Sequence, residues 1–279
     1  MRGTHSLYLN LLEKSLLDEI YGERPEDVRW RAFLQRLRHP YLTRRGTFSW
    51  PGRAHTMIGR SRLRHLRVLV ERTIEESIPG DYIETGVWRG GACILMRGVL
   101  SAHRVRDRRI FCADSFAGLP APDARFPDDK RDRTHAFSEL AVSEETVRSN
   151  FAAYDLLDEQ VVFLKGLFEE TLPGLKDERF ALLRLDGDMY GSTMSALTNL
   201  YDRLSPGGFV VIDDYGGLRN CAKAVHDFLD QRGLQVEIQP VDESCVWWQR
   251  APAEIMRPHL ASARDSLAAL SPARPASGP

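Results

Sequence analysis

The sequence predicts an α/β fold: a doubly wound, mostly parallel sheet with an antiparallel last strand, preceded by a helical N-terminal region. After Pro79-Gly80, short apolar runs alternate with helix-like stretches, which is the pattern of right-handed βαβ units. The last two runs are separated by a short turn and predict a hairpin, which adds the antiparallel strand. The parallel runs are DYIETG, RIFCADS, QVVFLKG, ALLRLDGD and GFVVIDDY, and the hairpin runs are LQVEIQP and ESCVWWQR.

The pattern divides the chain into three regions. Residues 1–76 are predicted to be helical, residues 77–257 to form the α/β domain, and residues 258–279, rich in Ala, Ser and Pro, to be a flexible tail. Residues 121–140 carry many charges and two prolines without periodicity. A long loop of this kind inside a compact domain is often a lid, and we expect one here.

Composition excludes several classes of partner. The 279 residues include 38 Lys or Arg and 39 Asp or Glu, so net charge gives no reason to expect nucleic acid or an anionic membrane. The basic stretch Arg60–Arg72 has apolar residues at helical spacing and predicts an amphipathic helix with a solvated basic face. The composition is that of an ordinary soluble globular protein.

The cysteines and the N-terminus bear on location. The four cysteines are far apart, match no zinc or CxxC spacing and suit a reducing compartment. The first twenty residues lack the apolar core of a leader, and no run is long enough to span a bilayer. We expect a cytoplasmic protein.

Two strand ends predict a nucleoside-containing cofactor. Gly86, Gly90 and Gly91 follow the first strand, and glycines at a strand-to-helix turn let a ligand approach the backbone and the helix N-terminus. Asp114 ends the second strand, where an acid can accept hydrogen bonds from both hydroxyls of a ribose. Glycine at such a turn is also common without any ligand, and the pairing with Asp114 favours the cofactor.

Glu84 decides between cofactors. The glycine spacing of a dinucleotide site is missing, and an acid at the mouth of the first strand would repel a pyrophosphate but attract a cation. S-adenosylmethionine (SAM) fits, because its amino group and sulfonium are positive and its carboxylate can meet the helix amides or Arg89.

Four acids at two further strand ends predict a metal. Asp186 and Asp188 follow one apolar run, and Asp213 and Asp214 follow the next. Parallel strands end on the same edge, so these carboxylates converge, which is costly unless a cation compensates them. Oxygen ligands without His or Cys suit Mg²⁺. The alternative is that the acids are solvated strand ends or helix N-caps.

Five ordered motifs, HTMIG, IETGVWRGGACILMRG, ADSFAGLP, LLRLDGDMYGST and GGFVVIDDY, resemble the macrocin O-methyltransferase (TylF/MycF-type) family over about residues 50 to 250. Members of that family are SAM- and Mg²⁺-dependent and methylate hydroxyls on the sugars of natural products, including macrolides and aminocoumarins. The resemblance implies a class I methyltransferase (Rossmann-like) sheet and a lid over the site. It also implies an N-terminal helical region that covers the cofactor and supplies contacts in a homodimer or higher oligomer.

Carried over by motif, the resemblance implies sets of ligands. The SAM contacts would be Met57, Ile58, Glu84, Thr85, Gly86, Arg89, Asp114 and Ser115. The metal ligands would be Asp186, Asp213 and Asp214. Without the resemblance, Met57 and Ile58 would pass as apolar contacts beside a helix.

The reaction implied is attack of a sugar hydroxyl on the SAM methyl group. Asp186 and Asp188 are the candidate catalytic residues. Asp186 ends the apolar run and is expected to be both metal ligand and general base. Asp188 lies two residues further on, where it either caps the following helix or holds a water beside the ion.

Two functions from other classes remain open at this point. The DGD triplet is similar to the DxD metal site of nucleotide-sugar glycosyltransferases, which leaves ETGVWRGG and the second acid pair unexplained. The other alternative is a non-catalytic nucleotide-binding protein.

Overall fold

A computed structural model of the chain describes residues 3–22 and 50–251, together with residues 27, 29, 30, 33 and 34. The tail predicted at 258–279 lies outside the described residues, as does much of the predicted helical region between residues 23 and 49.

The described residues form one seven-stranded sheet with the order β3-β2-β1-β4-β5-β7-β6. The strands are β1 Asp81–Thr85, β2 Ile110–Asp114, β3 Val161–Lys165, β4 Phe180–Leu185, β5 Leu204–Ile212, β6 Gln239–Pro240 and β7 Val246–Gln249. Strands β1 to β5 pair in parallel, and β7 pairs antiparallel with both β5 and β6. The predicted sheet is confirmed, although β6 has two residues where LQVEIQP predicts a longer strand.

Helices cover both faces of the sheet. They are α1 Thr4–Leu16, α2 Gly59–Glu75, α3 Gly91–Ala102, α4 Glu144–Ala152, α5 Phe168–Thr171, α6 Tyr190–Leu200 and α7 Arg219–Arg232. One buried core joins α1, α2 and α3 to the sheet, and a second core joins α6 and α7 to the other face. In the described part of the chain, no helix is both long enough and apolar enough to cross a bilayer.

The α2 helix forms because its apolar residues recur on one face. Its buried side chains are Leu63, Leu66, Leu69, Val70 and Thr73. The predicted amphipathic helix is confirmed, but its basic face is not simply solvated. The side chain of Arg62 is only 19% exposed, because it turns toward acids at the carboxyl edge of the sheet.

Residues 121–140, the segment predicted to be a lid, lie over that same edge. Three short 3-10 turns organise the segment, at Pro127–Asp129, Thr134–Ala136 and Ser138–Leu140. The segment is called the lid segment below.

Candidate active site

A cavity of about 690 Å³ opens at the carboxyl edge of the sheet, within the size range of small-molecule sites. The ends of β1, β2, β4 and β5 form its floor, and the HTMIG motif and the lid segment form part of its walls. All eight residues predicted to contact the cofactor are described, and six of them line this cavity: Met57, Ile58, Glu84, Gly86, Asp114 and Ser115.

Thr85 and Arg89 are not among the lining residues of the described cavity. The Nη1 atom of Arg89 donates to the carbonyl oxygens of Pro51, Gly52 and Ala54 at 3.2, 3.0 and 2.9 Å. The guanidinium therefore anchors the chain that leads into HTMIG. This geometry gives no support to the predicted contact between Arg89 and the SAM carboxylate.

Gly86 is required by the packing of β1 against β4. Its φ is +87°, and a Cβ atom there would lie 1.7 Å from the carbonyl oxygen of Asp186. The amide of Asp186 donates to the carbonyl of Thr85 at 2.9 Å, so the two strand ends lock together at this point. The absence of a side chain at Gly86 thus lets the predicted cofactor-binding turn pack against Asp186, the first of the predicted metal ligands.

Gly91 begins α3 beneath the HTMIG motif. Its amide donates to the carbonyl of His55 at 2.9 Å, and a Cβ atom at Gly91 would lie 2.5 Å from that oxygen. This close contact seats HTMIG on the start of α3, so that Met57 and Ile58 face the cavity.

Asp114 organises the turn that follows β1. Its Oδ2 accepts from the amides of Val87 at 2.6 Å and Trp88 at 3.3 Å, and its Oδ1 accepts from the amide of Phe116 at 2.8 Å. Burial raises the pKa of Asp114, and these backbone hydrogen bonds oppose the shift. The carboxylate lies at the cavity wall, where its remaining lone pairs can accept further hydrogen bonds.

Arg184 belongs to the buried strand β4, and its guanidinium group contacts several of the acids at the carboxyl edge of the sheet. The residue is 1% exposed and stands beside Glu84 in the register of β1 and β4. Its Nη1 donates to Glu84 Oε1 at 2.5 Å and to Asp186 Oδ2 at 2.8 Å, while its Nη2 donates to Asp213 Oδ1. One guanidinium thus links the predicted SAM side of the cavity to the predicted metal side.

Glu84 is fully enclosed in this network. Its Oε2 accepts from the thiol of Cys93 at 2.8 Å. Burial raises the pKa of Glu84 to about 7, against the opposing effect of Arg184. The geometry therefore provides an acid that gains from a cationic ligand in the cavity.

Asp213 is held by two arginines. Besides Arg184, Arg62 of α2 donates from Nη1 to Asp213 Oδ2 at 2.6 Å, and its Nε donates to Asp242 Oδ2 at 2.6 Å. Both oxygens of Asp213 are thus engaged by guanidinium groups. Asp213 lines the cavity, but it is not among the three acids whose oxygens lie within 4.8 Å of one another.

The acids that do converge are Asp186, Asp188 and Asp214. Each offers one oxygen, and the three oxygens lie within 4.8 Å of one another. The Oδ2 atom of Asp214 is buried and receives no hydrogen bond within the described part of the chain. An all-oxygen set with an unsatisfied buried acceptor fits a hard cation such as Mg²⁺. In place of the predicted set of Asp186, Asp213 and Asp214, this geometry brings in Asp188.

Asp188 has an unusual backbone and a strongly shifted side chain. Its φ is +56°, in the left-handed region that costs a residue with a Cβ about 1 kcal/mol or more. Burial, and then the charges of Asp186, Asp213 and Asp132, raise the pKa of Asp188 to about 8.

The alternative interpretation of Asp188 as the N-cap of α6 is wrong. The N-cap residue is Met189, and the first amides of the helix are bound instead by Asp129 of the lid segment.

Burial also raises the pKa of Asp214, and the neighbouring acids Asp188 and Asp186 raise it further.

The sequence analysis did not identify three side chains that contact the acids or the start of α6: Arg62, Asp129 and Arg184. Arg184 could have been found, since an arginine within the apolar run LLRL must be paired when buried, and acids end the neighbouring runs. Arg62 looks like its solvated neighbours on α2, and Asp129 is one of many charges in its loop.

Comparison with known proteins identifies relatives along most of the chain. A sequence model of the macrocin O-methyltransferase (TylF) family matches residues 5–250. The chain is 47% identical over 249 residues to demethyldecarbamoylnovobiocin O-methyltransferase of Streptomyces niveus, which covers 88% of this chain and 94% of that protein. It is 44% identical over 252 residues to mycinamicin III 3''-O-methyltransferase of Micromonospora griseorubida, covering 88% and 96%.

Solved structures agree. The O-methyltransferase NovP superposes with a TM-score of 0.77 at 45% identity, covering 88% of this chain and 99% of that one. The calicheamicin methyltransferase CalS11, at 17% identity and a TM-score of 0.56, shares the fold.

Proposed function

The chain belongs to the macrocin O-methyltransferase family, and on this premise we propose that it methylates a hydroxyl on the sugar of a glycosylated natural product. SAM is the methyl donor in this proposal, and Mg²⁺ is the metal. The relatives that support it act, by their names, on demethyldecarbamoylnovobiocin and on mycinamicin III. Family membership favours methyl transfer over glycosyl transfer and over a non-catalytic nucleotide-binding role.

The observation that carries the proposal is the charge of the cavity edge. Five carboxylates, those of Glu84, Asp186, Asp188, Asp213 and Asp214, face two guanidinium groups, those of Arg62 and Arg184. When all five carboxylates are ionised, the state that bound cations favour, the excess is three negative charges before the partly exposed Asp242 is counted. A Mg²⁺ ion together with SAM, which carries a net single positive charge, would neutralise that excess.

The donor side of the cavity supports SAM. Glu84 offers a buried carboxylate to the positive methionine end of SAM, and Asp114 offers oxygen acceptors to its ribose hydroxyls. Met57 and Ile58 add apolar side chains to the lining of the same cavity.

The acceptor side supports a cation and a base. Asp186, Asp188 and Asp214 would hold Mg²⁺, which when bound supplies Lewis-acid stabilisation of negative charge on oxygen. The hydroxyl oxygen attacks the SAM methyl carbon, the carbon–sulfur bond breaks with its electron pair remaining on sulfur, and the hydroxyl proton passes to a carboxylate. Asp188, whose pKa is raised in the metal-free protein, is our candidate for that carboxylate. The cavity's remaining contribution is to align the two reactants.

We also propose a cytoplasmic homodimer or larger homo-oligomer with no nucleic-acid or membrane partner. Its four cysteines are free and buried, which suits a reducing compartment. The outer side of α1 leaves Leu7, Tyr8 and Leu11 exposed, and such an apolar surface can bury itself against a second copy.

The test is transfer of labelled methyl from SAM to a panel of demethylated macrolide, aminocoumarin and related glycosides, with and without EDTA. We expect label on one sugar hydroxyl, only when Mg²⁺ is present. Calorimetry should show binding of SAM and none of a UDP-sugar or NAD. Binding of a UDP-sugar without binding of SAM would overturn the proposal.

A further inference from the structure

Helix α6 begins directly after the turn that carries Asp186 and Asp188. The first amides of the helix donate hydrogen bonds to a side chain of the lid segment. The side chain of its N-cap residue, Met189, makes no capping bond. The Oδ1 of Asp129 accepts from the amide of Tyr190 and its Oδ2 from the amide of Gly191, both at 2.8 Å. Asp129 is 1% exposed, so its charge is stabilised chiefly by these amides and the helix N-terminus.

An aromatic contact seats the same stretch of the lid segment. A Cβ atom at position 191 would lie 2.5 Å from Cδ2 of Phe126, so the ring rests directly on the backbone of Gly191. The rings of Phe126 and Tyr190 also lie 6.1 Å apart. Glycine at position 191 is therefore explained by the lid segment rather than by the helix itself.

A third contact ties the lid segment to α7. The Nδ2 atom of Asn220 donates to the carbonyl of Asp128 at 3.0 Å and to Oδ1 of Asp129 at 3.2 Å. The lid segment, α6 and α7 thus meet at one carboxylate.

The residue that most needs this support lies two positions before Tyr190. Asp188 holds a left-handed backbone, at φ +56°, and such strain persists only where surrounding contacts hold it. Its carboxylate is one of the three that converge. The amides bound by Asp129 belong to the residues that follow Met189, so they fix where the strained turn ends.

We infer that Asp129 is a positioning residue for the acid cluster. It joins the lid segment to the start of α6, so the turn of Asp188 takes its metal-binding geometry only while residues 126–129 are seated. Asp129 itself is no ligand, because its two oxygens are used by backbone amides. The inference rests on the proposed function in one respect, that the cluster binds Mg²⁺.

Asp129→Asn is the test variant, because it keeps the shape but turns an amide donor toward one of the two N–H groups. Asp128→Asn is the matched control: it removes the same charge one residue away, where the carboxylate faces the exposed Lys223 at 3.4 Å. Gly191→Ala is a second test variant, because it displaces Phe126 without removing any charge. The measurements are the Mg²⁺ dissociation constant by calorimetry and hydrogen exchange of residues 126–137 and 187–192.

In Asp129→Asn we expect hydrogen exchange in both stretches to quicken by about tenfold and the Mg²⁺ dissociation constant to rise by about tenfold. Changes of about this size are expected because the variant loses one charge-assisted hydrogen bond. Gly191→Ala should change both in the same direction, and Asp128→Asn should leave both within about twofold. Faster exchange with unchanged Mg²⁺ affinity would overturn the inference, because Asp129 would then be a helix cap and nothing more. Unchanged Mg²⁺ affinity in Gly191→Ala would overturn it as well.

The outcome is separable from that of the proposed function. Neither measurement needs SAM or an acceptor, so a wild type that binds Mg²⁺ yet methylates nothing would overturn the proposed function alone. A wild type that methylates and binds Mg²⁺, with an unaffected Asp129→Asn variant, would overturn this inference alone. A wild type that binds no Mg²⁺ would overturn both.

Discussion

The Nη1 atom of Arg184 lies 2.5 Å from Oε1 of Glu84, and the same nitrogen lies 2.8 Å from Oδ2 of Asp186. One buried cation therefore balances a carboxylate on the donor side of the cavity and another on the acceptor side. Removing it would leave the buried Glu84 and Asp213 and the partly buried Asp186 with less compensation. Uncompensated buried charges are among the most destabilising changes known in proteins.

We predict that Arg184→Met lowers the free energy of unfolding by about 3–5 kcal/mol in metal-free buffer at pH 7. The measurement is urea denaturation. Arg232→Met is the control, because the pair of Arg232 with Asp202 is exposed and should be worth less than about 1 kcal/mol. Adding Glu84→Gln to Arg184→Met should recover part of the loss. Equal costs for the two arginine variants would contradict the role given to Arg184.

Gly86 offers a test of how tightly the two strand ends pack. We predict that Gly86→Ala costs at least about 2 kcal/mol, since φ is +87° and the new Cβ would meet the carbonyl of Asp186. Gly174→Ala is the matched control, because a Cβ there meets nothing within 4 Å. The measurement is again urea denaturation. Equal losses of unfolding free energy in the two variants would show that Gly86 does not pack closely against the carbonyl of Asp186.

The sheet was predictable because each parallel strand is a compact apolar run bounded by turn residues, and β1 to β5 lie where those runs are. The hairpin was harder, since an edge strand such as β6 needs few apolar residues. The convergence of acids followed from topology alone, because parallel strands end on one edge.

The sequence pattern could not predict which side chains pair with one another. Which acid faces an arginine depends on contacts between elements distant in sequence, as with Arg62 and Asp213, 151 residues apart. Sequence reasoning therefore found the acids at the edge but counted Asp213 as a metal ligand, and it left Asp188 either as a helix cap or as the holder of a water beside the ion. The role of Asp129 was hidden for the same reason, since its partners lie 61 and 62 residues away.

The raised pKa of Glu84 predicts a pH dependence of stability. Its pKa in the folded protein, about 7, exceeds its ordinary value of 4.5, so the folded state binds more protons between these two values. Stability from this group is full below pH 4.5 and falls as pH rises through 7. We predict a loss on the order of 3 kcal/mol across that window in metal-free protein.

Glu84→Gln is the comparison for that pH series, because it keeps the side-chain shape and cannot titrate. Its unfolding free energy, measured by urea denaturation from pH 5 to pH 8, should fall less steeply than that of the wild type by about the same amount. Parallel curves for the two proteins would show that Glu84 does not titrate as described.

The orphaned oxygen of Asp214 predicts that Mg²⁺ stabilises the protein. At a hundredfold excess over its dissociation constant, the ion should add about 2.7 kcal/mol to the free energy of unfolding, and EDTA should remove that gain. Asp214→Asn should weaken Mg²⁺ binding by at least about tenfold, because it removes one charged ligand. The exposed Asp230→Asn should bind as the wild type does. Calorimetry decides, and equal affinities in the two variants would remove Asp214 from the site.

The last prediction separates Asp186 from Asp188. The Oδ2 of Asp186 accepts from Arg184 Nη1 at 2.8 Å, so this oxygen already holds a hydrogen bond from a guanidinium group. In the metal-free protein, burial and neighbouring acids raise the pKa of Asp188 to about 8, so its carboxylate takes up a proton more readily than an ordinary aspartate does. This geometry supports Asp188 as the base, whereas the sequence alone favoured Asp186. We therefore predict that Asp188→Asn lowers kcat by at least about a hundredfold at saturating SAM and Mg²⁺.

Asp186→Asn should instead raise the Mg²⁺ concentration needed for half-maximal rate and recover much of its activity when Mg²⁺ is in excess. The affinity of each variant for SAM separates these roles from general damage to the fold. SAM should bind both variants as tightly as the wild type, because neither change touches Glu84 or Asp114 directly. Turnover near the wild-type rate in Asp188→Asn, beside an inactive Asp186→Asn at excess Mg²⁺, would return the role of base to Asp186 and leave Asp188 as a ligand alone.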